Sequence, residues 1–290
     1  MNLAWLLRGW LAQQAQANLR DRVRGAVQEE LSARASAQAT AHADDLPCDV
    51  GIVFALSAES GGTEDLLATV VTTKGDGFLV RSGLLDGRRI AVVLTGAGRA
   101  AAARGTQALI RGHRPAWIVS AGFAGGLQPQ LRRFDIVMAN EILDISGARL
   151  SIDLQRESSR SVHVGRLLTV DRLICKPAEK AALGAAHQAL AVDMESWAVG
   201  EVCRQDKVRF LSVRVISDAV DDELPEDLNS LITQKTTAGR LGAAAGTLFR
   251  RPGSAKDMLR LREDALVASD RLARFLDGVI RLLIPRDAGE

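Results

Sequence analysis

Between Val50 and Ile216 the chain alternates short strand-like runs with alanine-rich stretches of helical length, and this alternation limits the fold more than any other feature. The strand-like runs are Val50–Leu56, Ile90–Leu94, Trp117–Ser120, Asp135–Ala139 and Phe210–Ile216. Helical stretches fall at 99–111, 178–190 and 195–204. Runs that are apolar throughout belong to strands buried on both faces, and helices between successive strands supply the cover. The expected class is α/β, a three-layer αβα arrangement around a central, largely parallel (mixed) sheet.

Residues 1–45 differ, being rich in Ala, Gln and Arg and free of proline. Leu3, Leu6, Leu7, Trp10 and Leu11, then Val23, Val27 and Leu31, recur at offsets of three and four and mark one apolar helical stripe. An N-terminal helical extension is therefore expected at 1–45, ahead of one folded domain at 46–290. The stripe suits a helix packed on its own domain or on a second copy, and it equally suits peripheral membrane contact through residues 1–31. After Pro225 the pattern is helical to the end, and Leu259, Leu266, Leu272, Phe275, Leu276, Val279, Ile280 and Leu283 outline a terminal helix that closes the core.

Composition removes several classes of function. Thirty-seven Lys plus Arg against thirty-five Asp plus Glu leave a charge of +2, too small a field to hold nucleic acid. Cys48, Cys175 and Cys203 form no Cys-x-x-Cys pair and read as reduced, buried thiols. His42, His113, His163 and His187 lack metal-ligand spacing, so no metal is expected. No apolar run approaches the ~20 residues of a membrane span, and Arg8 interrupts the first one. The expected location is cytoplasmic, with the membrane surface as the one extension of it. Arg132-Arg133 reads as a solvated turn.

Gly96-Ala97-Gly98-Arg99-Ala100-Ala101 follows a strand and opens a helix, as a dinucleotide-binding turn does. Such a site needs an acidic residue about 20 positions on, at the end of the next strand. The strand at 117–120 ends in Ser120-Ala121-Gly122 instead, so no nicotinamide or flavin cofactor is expected. The N–H groups of the turn suit a ligand oxygen or an anion, and its small residues equally suit a tight strand-to-helix turn.

Three strand ends carry the chemistry. Ser57-Ala58-Glu59-Ser60 follows the first run, Ala121-Gly122-Phe123-Ala124-Gly125-Gly126 the third, and Ser217-Asp218 closes the last. Ala191-Val192-Asp193-Met194-Glu195-Ser196 enters a helix between them. Ligands of open parallel sheets bind beyond the C-terminal strand ends, so these pieces can meet in one crevice. The blocks AVDMESWAVGEVCRQDKVRFLSVRVISDAVDD (191–222), LTGAGRAAAA (94–103) and SAGFAGGLQPQLRRFDIVMANE (120–141) resemble the nucleoside phosphorylase and nucleosidase superfamily. The likeness is strongest to the methylthioadenosine/S-adenosylhomocysteine nucleosidases and runs from about residue 50 to about 222.

That resemblance implies a purine nucleosidase acting on a 5′-substituted adenosine, with water as co-substrate and no cofactor. Breaking an N-glycosidic bond builds positive charge on the sugar while a poor leaving group departs with negative charge. The resemblance gives Asp218 the proton for purine N7, Glu195 the ribose hydroxyls, Met194 the ribose face and Glu59 the attacking water. It also places Gly122, Phe123, Ile174 and Ser217 at the substrate. Phe123 stands where these nucleosidases have serine, and Leu173 where they have an aromatic ring, so the pocket is expected to be more apolar. The Gly-Phe-Ala-Gly-Gly segment and Asp222-Glu223-Leu224-Pro225 are similar to the hopanoid-associated phosphorylase-like proteins, which implies a substrate such as adenosylhopane. A homodimer is the family expectation. Two alternatives stay open: a phosphate-dependent phosphorylase using the same pocket, and a nucleoside-binding or membrane-associated protein without turnover.

Overall fold

Every residue of the strand Val50–Phe54 is buried, as a strand covered on both faces requires. The structure is a computed structural model describing residues 47–154, 157–225 and 254–285. The expected extension at 1–45 and the helical pattern at 226–253 lie outside the described residues. In chain order the strands are β1 (Val50–Phe54), β2 (Ala68–Lys74), β3 (Leu79–Leu85), β4 (Arg88–Leu94), β5 (Trp117–Gly126), β6 (Ile136–Asp144), β7 (Arg149–Ser151), β8 (Val162–Thr169), β9 (Ala191–Asp193) and β10 (Arg209–Asp218). The helices are α1 (Ser57–Glu64), α2 (Arg99–His113), α3 (Pro177–His187), α4 (Ser196–Asp206) and α5 (Ser254–Leu283).

The sheet is mixed, and its parallel part is the buried centre. β1 lies between β4 and β5, parallel to both, and β10 runs parallel on the other side of β5. β6 is antiparallel to β10 and parallel to β8, β8 carries β9 in parallel, and β9 returns antiparallel to β5. β2 and β3 form an antiparallel hairpin beyond β4, and β7 pairs antiparallel with β6. The sheet is thus the expected largely parallel, mixed one: short turns join the antiparallel pairs β2–β3, β3–β4 and β6–β7, whereas the antiparallel pairs β10–β6 and β5–β9 are distant in the chain.

Helices cover both faces. On one, Ala102 and Leu109 of α2 and Val199 and Cys203 of α4 pack on Val53, Val93 and Ile118. On the other, Leu272, Leu276, Val279 and Ile280 of α5 join the cluster around Ile52, Phe54 and Val92. Full burial of each such side chain stabilises by about 1.5–3 kcal/mol, so this stripe fixes α5 on the sheet. Leu266, expected on the stripe, is 60% exposed; the buried face starts at Ala268 and Ser269.

Two segments expected to follow strand ends are themselves regular structure. Ser57–Glu64 is α1, and Ala121–Gly126 continues β5 in register with β10 and β9. Because β1, β5 and β10 are parallel, their C-terminal ends share one edge of the sheet. At the end of β10 the register shifts between Ile216 and Asp218, so Ser217 bulges and Asp218 falls opposite Gly125. Bulges of this kind re-aim a side chain next to a site.

Candidate active site

Glu59 sits in the first turn of α1 and turns its carboxylate back toward the strand end. Oε2 accepts the N–H groups of Ala55 at 3.0 Å and Leu56 at 2.8 Å, and Oε1 accepts the N–H of Phe123 at 2.9 Å. Ser269 of α5 locks this turn, its Oγ donating to the Glu59 carbonyl and accepting from Gly62 N–H, both at 3.1 Å. Burial pushes the Glu59 carboxyl above its ordinary range, against the pull of the three N–H bonds and of Arg214.

The segment after β9 builds a second carboxylate over a buried cation. Arg214, only 2% exposed, reaches Asp193 Oδ2 through Nε at 2.9 Å and Nη2 at 2.8 Å. Its Nη2 also reaches Ser120 Oγ at 2.7 Å and Ser196 Oγ at 2.8 Å. Asp193 further accepts from Thr169 Oγ1 at 2.8 Å and from Ser196 N–H at 3.0 Å. Bonded in this way, the pair fixes β8, β9, β10 and the start of α4 together; removing one partner of such a pair costs about 3–5 kcal/mol.

Glu195 caps α4 and accepts the N–H of Gly98 at 2.7 Å. The glycine turn expected to offer its N–H groups to a ligand anion thus spends this one on a carboxylate of the protein. Burial first, then Asp193 and Glu59, push Glu195 up to about 8, while Gly98 N–H and Arg214 draw it down. A chamber of about 10 Å³, the scale of a single water, is bordered by Glu59, Glu195, Arg214, Ser120 and Thr95.

Asp218 is the third carboxylate, and it has a partner that the sequence reading missed. Lys180 of α3, with no exposed surface, places Nζ 2.5 Å from Asp218 Oδ2, 2.9 Å from the Ala219 carbonyl and 2.8 Å from the Asp222 carbonyl. Ser217 Oγ donates to Asp218 Oδ1 at 2.6 Å. Burial pushes Asp218 above the usual carboxylate range, and Lys180 and Ser217 oppose it. Arg133 is also not the solvated turn residue expected: it bridges Asp222 at 2.7 Å and Asp264 of α5 at 2.6 Å.

These groups converge on one cavity of about 270 Å³. Glu59, Phe123, Ile174, Met194, Glu195, Ser217 and Asp218, all expected at the site, border it. Gly122 is not among the residues that border it; a Cβ there would come within 2.7 Å of Glu59 Oε1, so the glycine leaves room for the carboxylate. Leu56, Val170, Leu173, Val192 and Leu224 make the remaining wall apolar, and Arg172 and Asp264 add charge to it. Leu224 belongs to the Asp-Glu-Leu-Pro segment and is held by its N–H to the Cys175 carbonyl at 3.0 Å.

Among the described residues no group of three His, Cys, Asp or Glu could hold a metal ion. His163 lies 3.2 Å from Asp135, away from the cavity. No helix among the described residues is long and apolar enough to cross a membrane.

The family model of the phosphorylase superfamily matches residues 49–153 and 148–248, and the chain belongs to that superfamily. Two relatives are 5′-methylthioadenosine/S-adenosylhomocysteine nucleosidases. That of Aeromonas salmonicida is 27% identical over 210 residues, covering 63% of this chain and 91% of the relative. That of Haemophilus influenzae is 27% identical over 222 residues, covering 67% and 96%. The fold is similar to the crystal structure of the corresponding Helicobacter pylori nucleosidase, with TM-score 0.61 and 17% identity over 82% of this chain and all of that one. It is similar in the same way to the S. pneumoniae nucleosidase solved with a transition-state inhibitor, with TM-score 0.62 and 16% identity over 81% of this chain and 100% of that one.

Proposed function

We propose that this protein hydrolyses the N-glycosidic bond of a 5′-substituted adenosine and releases adenine. The observation that carries this reading is that Glu59, Glu195 and Asp218, from three distant parts of the chain, border one cavity. The nucleosidase names of the two relatives support it.

In this reading the purine lies against Ile174, Leu173 and Asp218, and the ribose against Met194 and Glu195. Glu59, fixed by three N–H bonds, takes a proton from water as the oxygen attacks C1′. The C1′–N9 electron pair passes to the purine, whose N7 receives a proton from Asp218. Solvent then returns Glu59 and Asp218 to their starting states. Glu195, accepting hydrogen bonds from the ribose hydroxyls, stabilises the positive charge that builds on the sugar. Water, rather than phosphate, is the nucleophile in this reading, because the chamber beside Glu59 is on the scale of a single water and Arg214, the cation that borders it, is already held by Asp193.

The apolar wall favours a 5′ group that is itself apolar. Phe123, Leu56, Val170 and Leu224 offer it surface rather than hydrogen bonds, which suits a 5′-alkylthio group or a lipid such as that of adenosylhopane. The test is a screen of adenine release from 5′-methylthioadenosine, S-adenosylhomocysteine, adenosylhopane and adenosine, with and without phosphate. Release that is independent of phosphate and rises with the apolarity of the 5′ group supports the reading; a strict phosphate requirement, or no release from any of them, defeats it.

A further inference from the structure

Lys180 is a charged side chain with no exposed surface, three partners and no place in the motifs of the sequence. An ammonium buried so completely persists only where a carboxylate and further acceptors repay its lost hydration. Here the carboxylate borders the cavity, and the two carbonyls belong to the turn that follows it. We propose that Lys180 is a positioning residue for the leaving-group step: its ammonium clamps Asp218 Oδ2 and the turn 219–222, aiming the carboxyl at the base and tying its proton to a buried cation. The inference rests on the reading of Asp218 as the group that faces the purine.

The geometry sets two duties at once. With Oδ2 held by Lys180 and Oδ1 by Ser217, the carboxyl cannot rotate freely on the bulge that carries it. The ammonium also favours the ionised carboxylate, opposing the burial that favours the acid. The other charged groups around Asp218 are Asp222 in the same turn, which raises it, and Arg133 and Asp264, which are paired with each other while Arg133 also holds Asp222. Glu59 and Glu195 share the cavity. Lys180 is thus the cation in direct contact with Asp218, and its removal leaves a buried carboxyl that keeps its proton to higher pH.

The test compares Lys180→Met, Lys180→Gln and Lys180→Arg with the wild type, reading adenine release from 5′-methylthioadenosine against pH. The Gln variant keeps a donor for the two carbonyls if the Met variant does not fold. Both neutral variants should carry the alkaline limb of kcat/KM upward by about one pH unit or more, with kcat down at least tenfold, while Lys180→Arg keeps the limb near its wild-type position. Loss of rate with an unmoved limb in both neutral variants overturns the proposal. An infrared titration of the Asp218 carboxyl, identified by its loss in Asp218→Asn, separates this inference from the reading it rests on. If the wild type releases no base, the function falls, yet a C=O band lasting to higher pH in Lys180→Gln still supports the pair. A band titrating at the same pH in both proteins overturns it.

Discussion

A methyl group on Gly122 would stand 2.7 Å from Glu59 Oε1, closer than side-chain carbons come to oxygen, so the glycine of β5 keeps open the space that the carboxylate of α1 fills. Phe123 N–H, the next group along the strand, donates to that same oxygen. Gly122→Ala should therefore displace Glu59 without touching the substrate. Base release should fall by about 10²-fold in kcat with KM little changed, and stability by about 1–3 kcal/mol. Steady-state kinetics and urea melts read both, and an unchanged kcat would show that the position of Glu59 does not matter to the rate.

In the proposed reaction, Asp218→Asn removes the proton that the departing base takes. For 5′-methylthioadenosine the rate should fall by about 10²–10⁴-fold. A riboside with a good leaving group, such as nitrophenol, should lose far less, because it needs no proton to depart. Equal losses for both substrates would mean that Asp218 only holds the fold of the turn.

Glu195 carries a folded-state value of about 8 against an ordinary 4.5. The value is raised, so the stability linked to its neutral form is complete below about 4.5 and is lost as the pH rises through about 8. Glu195→Gln is neutral at every pH. Its stability should match the wild type near pH 4.5 and exceed it at pH 8 and above, by an amount on the order of a few kcal/mol, since a tenfold change in a protonation equilibrium is worth about 1.4 kcal/mol. Thermal melts across this pH range read the gap. Base release should fall in the same variant, the usual exchange of activity for stability at a site. A gap that does not widen with pH would contradict the burial of an ionisable Glu195.

Phe123→Ser exchanges an apolar wall for a hydroxyl. The preference for 5′-alkylthio over 5′-hydroxyl adenosines, taken as a ratio of kcat/KM, should drop by about tenfold or more. An unchanged ratio would place the 5′ group elsewhere than beside Phe123.

How far these features can be read from the chain depends on which interactions are local. β1, β4 and the first part of β5 are visible because strands buried on both faces leave apolar runs, as Val50–Phe54 does, and β10 because Leu211, Val213, Val215 and Ile216 outweigh Ser212 and Arg214. The hairpin β2–β3 is not: β2 is exposed along nearly its whole length, and Thr72, Thr73 and Lys74 carry no apolar signal. The glycines of 121–126 read as a loop because small residues usually mark one, yet here they let β5 run on beside β9 and β10. Asp218 is legible because it closes a strand-like run, whereas Glu59, in the first turn of α1, and Glu195, at the start of α4, are picked out by the resemblance of the blocks around them. Lys180 is not, because a lysine in Pro-Ala-Glu-Lys-Ala-Ala reads as the solvated side of a helix, and its partner lies 38 residues away in the sequence. Gly122 belongs to the right site for a different reason, since its contact is with Glu59 and not with the cavity.

The most direct measurement follows the oxygen that ends on C1′. 5′-Methylthioadenosine is turned over in ¹⁸O-labelled water containing phosphate, and the sugar product is weighed by mass spectrometry. Because a free sugar can exchange its C1′ oxygen, the product is trapped by rapid reduction. Activation of water by Glu59 predicts a free sugar carrying one ¹⁸O at C1′, in equal yield without phosphate, and a loss of about 10²-fold or more in rate in Glu59→Gln. A sugar 1-phosphate without the label would contradict the account.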